Sequence, residues 1–203
     1  MNNQIRSHLF WGVHSPLSSL TGAALMVIAS DRIASALVCT LALVWVYVCT
    51  MTAAKLGGKN FPQWGRSVIL MFLASLAAGI FFILLWFFDP VLALESSLFI
   101  FLAPVTFIAS KLCARVLDDD MLDMLSQALA EALILGALIL GLALIREPLG
   151  FGSLSVPGLG IIFSLREEPL RILQASSGAL ILLGYLTALY RRFRNEYTNA
   201  EDD

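Results

Sequence analysis

Six long apolar runs separated by short polar links constrain this chain more than any other feature. They cover residues 16–29, 33–53, 67–88, 97–113, 125–145 and 172–190. Most approach the ~20 residues that a helix needs to cross the hydrocarbon layer. Backbone inside lipid must satisfy its own hydrogen bonds, so runs of this kind are expected to be helical. Composition agrees. Hydrophobic residues make up 59% of the chain and charged residues 14%, whereas a soluble domain stays near about half apolar. A soluble enzyme is thereby excluded. The expected fold class is an all-α integral membrane protein with six transmembrane helices, residues 1–203 forming one membrane domain.

Two of the six runs are weak helices. The first is short, carries Gly22 and ends at Asp31-Arg32; the fourth contains Pro104. They occupy corresponding places if the chain is two repeats of three helices, about 14–90 and 95–192, followed by a flexible tail at 195–203. A faint textual echo points the same way: MVIASD at 26–31 against TFIASK at 106–111. Three crossings per repeat is odd, so the second repeat enters the membrane from the opposite side. The expectation is an inverted repeat with interrupted helices 1 and 4. Pro104 cannot donate a backbone hydrogen bond, and its ring crowds the preceding turn. A break there would line a buried site and aim the positive end of a half-helix at mid-membrane, which suits an anion, an anionic cofactor or an ion path. The alternative is a plain proline kink.

Cations set the orientation. With both termini cytoplasmic, the inner segments hold Arg6, Lys55, Lys59, Arg66, Lys111, Arg115, Arg191, Arg192 and Arg194, against Arg32, Arg146, Arg166 and Arg171 outside. The turn FDPVLALE at 88–95 is acidic and reads as an outer loop, and Trp11, Trp64 and Trp86 fall near interfaces. The N-terminus lacks the ordered charged, apolar and small-residue pattern of a cleaved signal, so the first span is expected to be retained. The expected location is the cytoplasmic (inner) membrane.

Few residues offer chemistry. Cys39 and Cys49 stand ten positions apart in one run, roughly 15 Å along a helix, too far for a disulfide or a shared metal. They read as small buried hydrophobes. His8 and His14 have no partner at ligand spacing. No phosphate loop, dinucleotide fingerprint, nucleophile elbow or zinc motif appears. Arg146 and Glu147 close the fifth run and read as a mutual surface ion pair, which contributes little. Gly150 and Gly152 read as letting the next loop turn sharply near Pro157.

The stretch ALILGLALIREPLGFGSLSVPG, reached from Glu131, resembles the second-half signature of the D/E-type membrane subunits of the Rnf and Nqr complexes. There a helix ends in Arg-Glu and a glycine-rich stretch follows, here Arg146-Glu147 and Gly150-Phe151-Gly152-Ser153-Leu154. The ending SSGALILLGYLTALYRR and the early HSPLSSLTGAALMVIASDRIASAL resemble the family's last and first helices, so the likeness covers roughly residues 14–195. It implies six helices in two inverted repeats, a sister subunit packed in the opposite sense, and a hetero-oligomer that couples electron transfer to Na⁺ or H⁺ movement. It also implies a [2Fe-2S] cluster between the sisters, held by one cysteine from each broken helix. The first cysteine lies in a Gly-Leu-Cys-Pro motif and the second in Thr-Asn-Cys.

This sequence departs from that pattern. Gly22-Ala23-Ala24-Leu25 puts Ala24 at the first cysteine position. Counting from Pro104 puts Ser110 at the second, in a register that also matches Arg115 to a family arginine. Cys113 falls three residues later, about 4.5 Å along the axis, and reads as a bystander. An alanine methyl cannot coordinate iron, and a serine oxygen is a harder ligand than thiolate. Ser110 then reads as a small residue permitting close helix packing. No cofactor is expected from this chain. The family carries an acidic residue near Glu131, which makes Glu131 the candidate for an ion path; the alternative is a carboxylate that snorkels to the cytoplasmic interface.

Overall fold

The computed structural model describes residues 27, 29–57, 66–109, 121–156, 160–164, 175, 177–185 and 188. Four long helices dominate: α1 (Ile33–Gly57), α2 (Arg66–Phe88), α3 (Pro90–Ala109) and α4 (Met121–Arg146). All four are long and apolar enough to cross a membrane, so the coarse expectation of a multi-pass, mainly helical chain holds. They are the second to fifth apolar runs. Of the first run only its end is described, with Val27 and Ala29 helical; of the last, residues 177–185 are helical.

A π-helical turn, Glu147–Phe151, prolongs α4. It contains Pro148, which cannot donate to the carbonyl one turn back, and the helix widens where that bond is missing. Gly152 then takes a left-handed backbone (φ 63°), a conformation that glycine reaches without steric cost. The hairpin β1 (Ser153–Val156) and β2 (Gly160–Ser164) follows, antiparallel, with Leu154 opposite Phe163 and a register shift between Leu154 and Ser155. This hairpin is an addition to the expected all-helical fold.

The α1 helix is the hub. It packs against α2, α3 and, most extensively, α4. Large side chains such as Leu43, Val46, Leu135 and Ile139 fill the core, but alanines make up much of the seams: Ala36, Ala42, Ala74, Ala78, Ala128, Ala132 and Ala143 are buried. Bulky residues face out, Phe72 at 67% and Phe87 at 82% exposure. Lipid tails are as apolar as leucine, so burying large side chains gains little; small residues let the backbones approach and gain dispersion contacts. At one crossing Thr40 of α1 lies against Gly136 of α4, and its hydroxyl donates to Ala36 O (2.8 Å) and Gly136 O (3.4 Å).

Two expectations are corrected. The acidic stretch 88–95 is not a loop: Asp89 is the sole residue between α2 and α3. Its carboxylate accepts from the N–H groups of Val91 (3.0 Å) and Leu92 (3.1 Å), and Pro90 occupies the first helical position. An aspartate cap followed by proline starts a helix directly. Nor is α3 interrupted at Pro104, since the helix runs on to Ala109. Pro104 is buried in the bundle between Ala103 and Thr106, whose hydroxyl donates to Ala103 O at 2.7 Å. Neighbouring helices and hydroxyl side chains are what make proline tolerable in a membrane helix.

Candidate functional site

The one dense polar cluster among the described residues gathers where α4 ends and α1 begins. Arg146 and Glu147 are 2% and 1% exposed, so they are not a surface ion pair. The Arg146 guanidinium donates to Val27 O at 2.9 Å and to Ser30 Oγ at 3.3 Å, and it forms an ion pair with Asp31. Glu147 Oε2 accepts from the Ile33 N–H at 2.7 Å. Val27 belongs to the helical end of the first run, and Ile33 is the first residue of α1. Two consecutive residues thus cap both sides of one helix-to-helix junction. The cation meets carbonyls at a helix C-terminus and the anion meets N–H groups at a helix N-terminus, the favourable sense at each.

The junction itself is short. Ser35 Oγ donates to Ala29 O (3.2 Å) and Arg32 O (2.8 Å), and it accepts from Arg32 N–H at 3.3 Å. The Arg32 guanidinium lies over the Phe151 ring, 5.9 Å from its centroid, so the π-turn is tied to the same place. Burial pushes the Asp31 carboxyl above the ordinary carboxylate range. The charges of Arg146 and Arg32 pull the other way, but desolvation is the larger effect.

Other expected residues lie elsewhere. Gly150 is buried within the π-turn, and Gly152 makes the left-handed exit from it, the sharp turn expected there. Glu131 is half-buried in the body of α4, on the face that carries Asp123 and Gln127 at i, i+4, i+8 spacing. One of its carboxylate oxygens is fully buried. It is ten residues from the start of α4 and fifteen from Arg146, so about 22 Å separates it from the cluster. Cys39 is buried and Cys49 half-buried, both as free thiols. Ala24, Ser110, Cys113, Pro157 and the tail at 195–203 lie outside the described residues.

Sequence reasoning missed the role of four residues. Trp45 sits mid-helix in α1 and donates its indole N–H to Ala77 O of α2 at 3.2 Å. Tyr47 packs edge-on to Phe107 of α3, with ring centroids 5.1 Å apart. Asp31 and Arg32 looked like helix-ending punctuation and instead join the cluster. The signal available for Asp31 was a lone acid at a span boundary, which marks no partner by itself.

Among the described residues no three His, Cys, Asp or Glu side chains converge on one point. At the two positions where the resemblance would place cluster ligands, the sequence has Ala24, which carries no donor atom, and Ser110, which carries a hard oxygen. Comparison with protein-family models and with curated proteins returned no match.

Proposed function

We propose that this chain is a membrane subunit related to the ion-translocating Rnf and Nqr electron-transport complexes, helping to form a transmembrane electron and ion path with a sister subunit. The observation that carries this reading is the stretch Arg146-Glu147-Pro148-Leu149-Gly150-Phe151-Gly152. The family resemblance rests on it, and in this chain it is a buried double cap with a special backbone, not an interchangeable surface loop. The reading includes six helices in two inverted repeats of three, residence in the inner membrane, and both termini in the cytoplasm. Charge distribution supports that orientation. At the α4 exit Arg146 is paired with Asp31 and Arg32 lies over Phe151, whereas Lys55 stands at the opposite end of the bundle, in the last turn of α1.

Glu131 is the residue of this chain proposed to line the ion path. The chain itself supplies no cofactor ligand in this scheme, and no electron-transfer step is assigned to its side chains. The replaced ligand positions, Ala24 and Ser110, favour a second reading: a cluster-free paralogue that serves as a small membrane transporter or an assembly scaffold.

The deciding experiment is a mild-detergent pull-down of the tagged chain from its native membrane, with iron determination on the product. Recovery of sister Rnf- or Nqr-type subunits supports the first reading. Recovery of none refutes it and leaves the transporter or scaffold. Iron in the isolated chain would overturn the assignment of Ala24 and Ser110 as non-ligands.

A further inference from the structure

Helix α3 presents an outward face formed by Val91, Leu94, Leu98 and Phe101, which are 64%, 59%, 56% and 51% exposed. Glu95 is exposed in the middle of that face. It sits five residues beyond Pro90, about 7.5 Å below the start of the helix. The apolar span runs from Pro90 to Ile108, 19 residues, about the thickness of the hydrocarbon layer. Among the described residues no hydrogen-bond donor or cation pairs with Glu95, whereas Asp31, Asp89 and Glu147 are all consumed as caps or ion-pair partners. A carboxylate on an outward membrane face is costly unless a complementary group meets it, and such residues mark contacts or pathways.

We propose that this face of α3 docks a transmembrane helix of a partner protein, and that a lysine or arginine on that helix pairs with Glu95 one to two turns below the outer surface. The apolar residues at 91, 94, 98 and 101 supply the packing, and the ion pair fixes depth and rotation. An ion pair is favoured over a lipid contact because lipid acyl chains offer a carboxylate no donor at this depth. The inference rests on the reading of the chain as a subunit of a membrane hetero-oligomer.

A photo-reactive amino acid at Leu98, in the full-length chain in its native membrane, tests the contact; Phe72 of α2 is the control position. The expected result is a Leu98 adduct with one membrane protein, mapped to a transmembrane segment that bears Lys or Arg. Glu95→Lys abolishes that adduct, Glu95→Gln weakens it several-fold, and reversing the partner's basic residue to Glu restores it in the Glu95→Lys background. Lipid adducts only, as at Phe72, overturn the proposal. So does a protein adduct that persists in both Glu95 variants. The pull-down separates this from the broader reading. Sister subunits recovered without a Leu98 protein adduct remove the contact and leave the subunit assignment intact. A Glu95-dependent adduct to an unrelated protein, with no sisters recovered, leaves the contact and removes the assignment.

Discussion

Adding one methyl group at Gly136 is expected to loosen the α1–α4 seam. A Cβ placed on Gly136 lies 2.3 Å from Thr40 Cγ2 and 3.1 Å from both Thr40 Cβ and Oγ1. Carbon atoms sit at about 3.5–4.0 Å in good contact, so the pair must separate by more than 1 Å or Thr40 must turn. If the helices part, contacts along Ala36, Leu43, Ala132, Leu135 and Ile139 weaken together. If Thr40 turns, its bonds to Ala36 O and Gly136 O are lost. Over-packing a tight seam costs about 1–3 kcal/mol, and a neutral hydrogen bond contributes ~1 kcal/mol. Gly136→Ala should therefore destabilise the protein by about 2 kcal/mol, measured as SDS-driven unfolding in mixed micelles by tryptophan fluorescence. The partner is identifiable by a double-mutant cycle. Thr40→Ala removes Cγ2 and Oγ1 and leaves only Cβ at 3.1 Å. In that background Gly136→Ala should cost less than about 1 kcal/mol. Equal costs in the two backgrounds, or no cost in either, would refute the close approach of these helices.

The double cap makes three further predictions. Glu147→Ala leaves the half-buried Ile33 N–H without its acceptor and should cost about 1–2 kcal/mol. Glu147→Gln keeps an acceptor and loses only the charge at the helix terminus, about 0.5–1 kcal/mol; the same unfolding assay ranks them, and equal values would count against the capping role. Arg146→Ala leaves the buried Val27 carbonyl and Ser30 hydroxyl without their donor and the half-exposed Asp31 without its cation, and should cost about 1–3 kcal/mol, with Arg146→Lys intermediate because a point charge cannot reach all three acceptors. Asp31 has a raised folded pKa, so its contribution to stability is complete below the unfolded carboxylate value near about pH 4 and is lost as pH rises through the folded value. Asp31→Asn should flatten that decline; a wild-type minus variant stability profile unchanged from about pH 4 upward would show that Asp31 is not shifted.

The four described spans were legible because a membrane makes secondary structure nearly obligatory: an apolar run of sufficient length has no alternative to the helix. Boundaries moved where a cap could act locally. The Asp89-Pro90 pair converted an apparent loop into a one-residue link, and α3 accordingly begins seven residues before the run that starts at 97. Pro104 was visible, but its effect depended on neighbours that periodicity does not reveal, and here the helix passes through it. The Arg146-Glu147 pair was singled out but given the wrong environment. Two adjacent opposite charges at a helix end look like a solvated pair, and only the return of residues 27–33 to that end makes them buried caps.

The sequence alone therefore determined that the chain is a multi-pass helical membrane protein, and it marked most of the unusual residues. Hydrophobicity and length act over one segment at a time, so they are written locally. Tertiary structure decided what those residues do: that Arg146 and Glu147 serve a junction 114 residues and more away in the chain, that Gly136 is the close-packing point of α1 on α4, and that Glu95 points away from the bundle. Hydrogen bonds and steric contacts act over a few ångströms. Their partners are set by which helices lie side by side, and no run of residues read singly contains that information.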